Sequence, residues 1–163
     1  MPIIGSIGSQ NTKSFLNPNA PTIGTATDVG TSRAYNNGAA TVSFSLPALS
    51  PAATSYTVTA STGQTATGAS SPIIVTGIAS AATPTFTVTA TNAAGTSAAS
   101  SASGAITITT VPAQPAAPVA TAGVDQDTVT WTAPNNGGSA ITTYTWASSD
   151  GKGATTAGTS ASP

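Results

Sequence analysis

TFTVTATNAAGTSAAS, running from Thr85 to Ser100, is the stretch on which the reading of this chain turns. In its first half Phe86, Val88 and Ala90 fall on one face, and Thr85, Thr87, Thr89 and Thr91 on the other. Successive side chains of a strand point to opposite faces, so the pattern predicts a half-buried strand with a threonine-covered outer face. Asn92 to Gly95 then breaks the alternation with residues that tolerate turn geometry, and a small-residue strand follows. The stretch is a hairpin.

Working outward from it, the same alternation predicts strands at 22–27, 40–45, 55–61, 64–68, 72–76, 85–92 and 105–110. Their inward positions are Val42 and Phe44, Tyr56 and Val58, Ile73 and Val75, Phe86 and Val88, and Ile106 and Ile108. Two antiparallel sheets packed about 10 Å apart would bury this set between them. No apolar stripe recurs at helical spacing, and the abundant Thr and Val suit strands. The class expected is all-β. Pro18 and Pro21 mark the domain entrance, where proline shields an edge strand from extra pairing. Asn37-Gly38 closes the long excursion DVGTSRAYNNGA as a turn, and Tyr35 within it reads as a cover over the open end of the core.

The run T-x-T-A-T-N-A-A-G-T-S resembles the penultimate strand, hairpin loop and last strand of a bacterial or viral fibronectin type III domain. Ile78, just after Gly77, is similar to the apolar plug at the bottom of that fold. The resemblance implies a β-sandwich, with one departure. Pro84 stands where the family has the tyrosine of its corner, so the hydroxyl-to-backbone bond of that corner should be missing. The pattern then restarts. VTWTAP at Val129 matches VSFSLP at Val42, an offset of 87 (129 − 42), and TYTW at Tyr144 matches SYTV at Tyr56, an offset of 88 (144 − 56). A repeat at this spacing means tandem domains. Trp131 sits where the family places its core tryptophan, Phe44 takes that place in the first copy, and NNGGSAITTY at 135–144 also resembles the family. The expected organisation is a docking arm at 1–17, a fibronectin type III-like domain at 18–111, a Pro-rich linker at 112–118, and a second, incomplete copy at 119–163. Mapped on the first, the second copy stops near Gly158, about three of roughly seven strands short. That would leave Trp131 and Trp146 exposed, and it reads as a fragment of a longer protein, or as a sheet completed by another chain.

Charge narrows the partners. Charged residues are 4% of the chain, against roughly 25% in an ordinary soluble domain. The cations are Lys13, Arg33 and Lys152, and the anions are Asp28, Asp125, Asp127 and Asp150. Nucleic acid calls for clustered Lys and Arg to neutralise phosphates, and an anionic membrane surface calls for the same, so both are excluded as partners. No segment reaches the length needed to span a bilayer. MPIIGSIGSQ lacks the basic and continuous apolar regions of a secretory signal, which places synthesis in the cytosol.

Chemistry finds little to work with. Histidine, glutamate and cysteine are absent, which removes the usual general base, the Glu/Asp acid pair and the thiol nucleophile. The serines have no base to activate them. Asp125 and Asp127 form a D-x-D, but a calcium site wants six to eight oxygens, so they read as turn aspartates. No enzyme, metal or cofactor is expected.

Ile3, Ile4, Ile7, Phe15 and Leu16 lie among Gly, Ser and Gln with no periodicity that would pack them on a neighbouring strand. Two readings stay open: a frayed terminus, or a docking arm whose side chains fill pockets on another subunit. GTSRAYNNGAATVSF and VTATNAAGTS resemble modules of bacteriophage structural proteins. That resemblance implies a non-enzymatic virion component, a tail fibre or other appendage, made in the host cytoplasm, joined through the arm to other virion proteins and assembled as a homo-oligomer. The alternatives are a bacterial adhesin or stalk, or accessory modules of a secreted polysaccharide hydrolase. The loops at 46–54 and 93–96, where such a fold presents binding residues, hold mostly Ala, Ser, Pro and Gly.

Overall fold

The computed structural model describes residues 16–124, 127–149, 151 and 153–157, the last five by their backbone alone. Among them there is no helix. The strands are β1 (Thr22–Asp28), β2 (Gly38–Ser45), β3 (Ser55–Ala60), β4 (Thr65–Gly68), β5 (Ile73–Ile78), β6 (Phe86–Asn92), β7 (Gly95–Thr96), β8 (Val119–Ala122), β9 (Asp127–Thr130), β10 (Thr143–Ala147) and β11 (Gly153–Ala157). They form sheets of order β1-β2-β5 and β4-β3-β6-β7, and two hairpins, β8-β9 and β10-β11. The chain divides into two compact units, one of residues 16–27, 41–75 and 84–105, the other of residues 28–40, 76–83 and the described residues from 106 on.

In the first unit the alternation read from 85–92 sets the sheet. Phe86, Val88 and Ala90 are fully buried, while Thr87, Thr89 and Thr91 are half-exposed on the other face. β3 pairs antiparallel with β6, Val58 opposite Val88 and Ala60 opposite Phe86, so the apolar positions of neighbouring strands share one side. Val42, Phe44, Val58, Ile73 and Val75 join them in the core, each as the alternation predicts. Each fully buried Val or Phe of this set contributes roughly 1.5–3 kcal/mol of transfer free energy. Tyr56 is half-buried, its ring 4.8 Å from that of Phe44. Pro84, at the position of the missing corner tyrosine, is fully buried. Antiparallel sheets with buried apolar faces are consistent with a β-sandwich.

The small-residue strand expected after the 92–95 turn is corrected to Gly95–Thr96 alone, and beyond it the far edge of β6 is closed by something other than a strand. After β7, Ser97, Ser100 and Ser103 donate their amides to the carbonyls of Ala90, Val88 and Phe86 at 2.8–2.9 Å. Their hydroxyl oxygens accept the amides of the same three residues, each at 3.0 Å. Three residues here span two of β6, so this segment is shorter per residue than a strand, and the serine Oγ stands in for the peptide carbonyl that falls out of register. Small side chains at 98, 99 and 102 fit that compaction. An edge whose polar groups are all taken offers no template for stray pairing.

In the second unit Ala39, Ala40, Ile78, Ile108 and Thr110 are buried. The expected strand at 105–110 is corrected here: no strand forms. Ile108 and Thr110 do face inward with Ile106 half-buried between solvent and core, so the alternation is real. Its backbone bonds go to loops, however. Ala81 donates to Ile108 and Ile108 to Ala82, each at 2.9 Å, and the Thr109 amide donates to the Asp28 carboxylate at 3.2 Å. Tyr35 is half-buried. The β10-β11 hairpin pairs Tyr144 with Thr156 and Trp146 with Ala154.

Candidate docking surface

Of the residues expected to dock a partner, Leu16 is described, and Ile3, Ile4, Ile7 and Phe15 lie outside the described residues. Leu16 is 60% exposed, and its backbone is held. Asn92 does the holding. Its Nδ2 donates to the Leu16 carbonyl at 2.9 Å and to the Ala52 carbonyl at 3.2 Å, while its Oδ1 accepts the amides of Ala94 and Gly95. One side chain therefore ties together the arm's exit, the 46–54 loop and the β6–β7 turn. Asn17 adds a bond to the Thr96 carbonyl at 3.3 Å. Gly95 sits at φ 149°, a backbone conformation that side chains rarely adopt.

The 46–54 loop carries a residue that loop composition hid. Leu49 is 80% exposed, a single leucine among Ala, Ser and Pro with no periodicity to mark it. The loop is pinned around it: the Asn19 amide donates to Ser50 Oγ, and Ser50 donates its amide to the Pro47 carbonyl, both at 2.9 Å. Leu16 and Leu49 are thus apolar side chains on a fixed backbone, tied to a common turn.

The polar groups elsewhere are structural in geometry. Asp28 Oδ2 accepts both the amide and the hydroxyl of Thr109, and its Oδ1 is buried without a partner. Arg33 Nε donates to the Asn37 carbonyl at 3.0 Å. Asp127 opens β9, while Asp125, Asp150, Lys13 and Lys152 lie outside the described residues. Among the described residues no three metal-ligating side chains gather.

Two open clefts lie in the second unit. One, of about 370 Å³, is lined by Pro134, Asn135, Asn136, Ile141 and Tyr144. The other, of about 80 Å³, is lined by Pro115, Pro118, Trp131, Tyr144 and Trp146. Neither lining holds a carboxylate or a cation. Trp131 and Trp146 are half-exposed, with Trp131 Nε1 shielded from solvent and without an acceptor. The Trp131 ring lies 5.5 Å from that of Tyr144 at 51°, close to the 4.8 Å and 47° of Phe44 and Tyr56. No protein-family model matches this chain, and no curated protein matches it.

Proposed function

We propose that the chain is a non-enzymatic structural component of a phage virion, a tail fibre or similar appendage. Its fibronectin type III-like modules act as spacers, and its N-terminal arm joins it to other virion proteins. The observation that carries the tandem part is the correspondence between hairpins. In β3-β4, Tyr56 faces Gly68 and Val58 faces Ala66; in β10-β11, Tyr144 faces Thr156 and Trp146 faces Ala154. Every partner has moved by the 88 residues of the sequence offset (144 − 56, 156 − 68), and the aromatic pairs Phe44–Tyr56 and Trp131–Tyr144 match in spacing and tilt. Shared register and matching ring contacts support reading the two stretches as copies of one module.

What supports the spacer reading is the surface. With charged residues at 4%, the exposed faces rest on Thr, Ser, Asn and Gly, whose hydration changes little with pH or salt. The clefts hold no carboxylate or cation, and Leu16 at the exit of the arm is exposed. The arm would anchor the chain there, alongside further copies of itself.

Immunogold electron microscopy with an antibody against the chain tests this. Label at a defined position on intact particles released from the producing cells is the expected result. Label on the envelope of intact cells, with none on particles, would replace the virion reading with that of a surface stalk.

A further inference from the structure

We infer that the turn at Asn135–Gly138 is a coupling plug: it fixes the second module to the loops at 30–37 and 79–82, and makes the connecting segment a rigid joint. All the groups involved belong to the second compact unit. The inference goes beyond the spacer reading and does not depend on which assembly the spacer serves.

The first argument is an accounting of amides. A flexible tether leaves its N–H groups to water. Here Ile108 donates to Ala82, Thr109 to Asp28 Oδ2, Thr110 to Gly137 at 2.8 Å, Val111 to Arg33 and Ala113 to Asn135, these two at 2.9 Å. Pro112 has no N–H to give. Every amide from 108 to 113 is therefore held by protein, and two of the acceptors are carbonyls of the 135–138 turn. Thr110 is fully buried, its hydroxyl 2.7 Å from Ser80 Oγ, and Ser80 is bonded in turn to Asn36.

The second argument is the fit of the turn. Asn135 Oδ1 accepts the Gly137 amide at 2.9 Å and Asn136 Oδ1 that of Gly138 at 3.0 Å, so the turn is set by its own side chains. Gly137 and Gly138 have φ of 69° and 87°. A Cβ on Gly137 would lie 2.5 Å from the Val111 carbonyl oxygen and 2.6 Å from that of Thr110, and one on Gly138 would lie 2.7 Å from that of Ile108. Those obstacles are backbone and cannot swing aside. The corresponding turn of the first module, Ala48-Leu-Ser-Pro51, has no glycine and cannot approach a neighbour this closely. Only the second module carries the plug.

The absence of cysteine allows paired nitroxide labels in the full chain, at Ala34→Cys and Ala147→Cys, both exposed and both in the second unit. The joint predicts one narrow distance distribution, broadened at least twofold by Gly137→Ala with Gly138→Ala. Gly63→Ala is the control, since Gly63 has φ 99° and nothing within 4 Å of its would-be Cβ; it should leave the distribution narrow. Trp131 and Trp146 are the only tryptophans, so unchanged emission shows that the second module of the glycine variant remains folded. Should that emission shift, amide exchange in the unsubstituted chain decides: Thr110 and Ala113 protected at least 100-fold supports the joint, and open-chain exchange overturns it. A broad distribution in the unsubstituted chain, or a narrow one in the folded glycine variant, overturns it as well.

Discussion

Ser100→Ala removes one hydroxyl from the edge of β6 and should cost far more than a surface serine normally does. Ser100 Oγ accepts the amide of Val88 at 3.0 Å, and both residues are buried, at 8% and 0% exposure. Alanine leaves that N–H facing a methyl group, with the neighbouring bond from the Ser100 amide to the Val88 carbonyl still holding the segment in place. A buried donor stripped of its acceptor costs about 1–3 kcal/mol. For a domain of this size each kcal/mol moves Tm by about 4–8 °C, so the fall should be roughly 4–24 °C. Ser103→Ala, which strips the Phe86 amide, should match it. Ser101→Ala is the control, exposed and one residue along, and should stay within about 0.5 kcal/mol. Urea titrations of the full chain followed by circular dichroism give the free energies, and amide exchange at Val88 locates the change. If Ser100→Ala and Ser101→Ala prove equally mild, with Val88 still protected, the serine hydroxyls are not the acceptors that complete this edge and the reasoning fails.

Phe44→Ala empties a core site and removes the contact with Tyr56, so about 3–5 kcal/mol should be lost in the same titrations; below about 1 kcal/mol, the register of β2 is wrong. Gly38→Ala drives a methyl group into Ile108 Cγ2, with the Ile78 carbonyl oxygen 3.1 Å away, and should cost about 1–3 kcal/mol by overpacking; a neutral outcome in a thermal melt would mean that Ile108 can move aside. Leu49→Ser, on a side chain that is 80% exposed, should stay within about 0.5 kcal/mol and leave host attachment unchanged, whereas a large loss of attachment would make the 46–54 loop a receptor contact and the first module more than a spacer.

The strands announced themselves where one face met the core. Phe86, Val88 and Ala90 alternate with threonines because β6 is buried on one side only, and a period of two is visible in sequence. The same period at Ile106 and Ile108 turned Ile108 inward correctly but predicted a strand where none forms. Alternation reports which side chains point inward; it does not say whether the amides meet a ladder or a set of loops. Ser97, Ser100 and Ser103 repeat every three residues, a spacing of neither strand nor helix, so their role emerges only with the carbonyls of β6 beside them. Ala39, Ala40 and Ala60 are core residues in a chain where alanine is everywhere, which left them indistinct. At the candidate docking surface, the isolated Leu16 was legible as an apolar residue without a strand to belong to. Leu49 was not, because nothing in PALSP foretells that Ser50 would tie the loop and turn the leucine outward.

Incorporation of a truncated chain into particles tests the account most directly. Deleting residues 1–15 removes Ile3, Ile4, Ile7 and Phe15 but retains the Asn92–Leu16 and Asn17–Thr96 bonds that close the module. The truncated chain should be soluble, melt as the full chain does, and be missing from purified particles in quantitative mass spectrometry, while the full chain supplied from the same plasmid is incorporated. Truncated chain at normal copy number in those particles would contradict the anchoring arm.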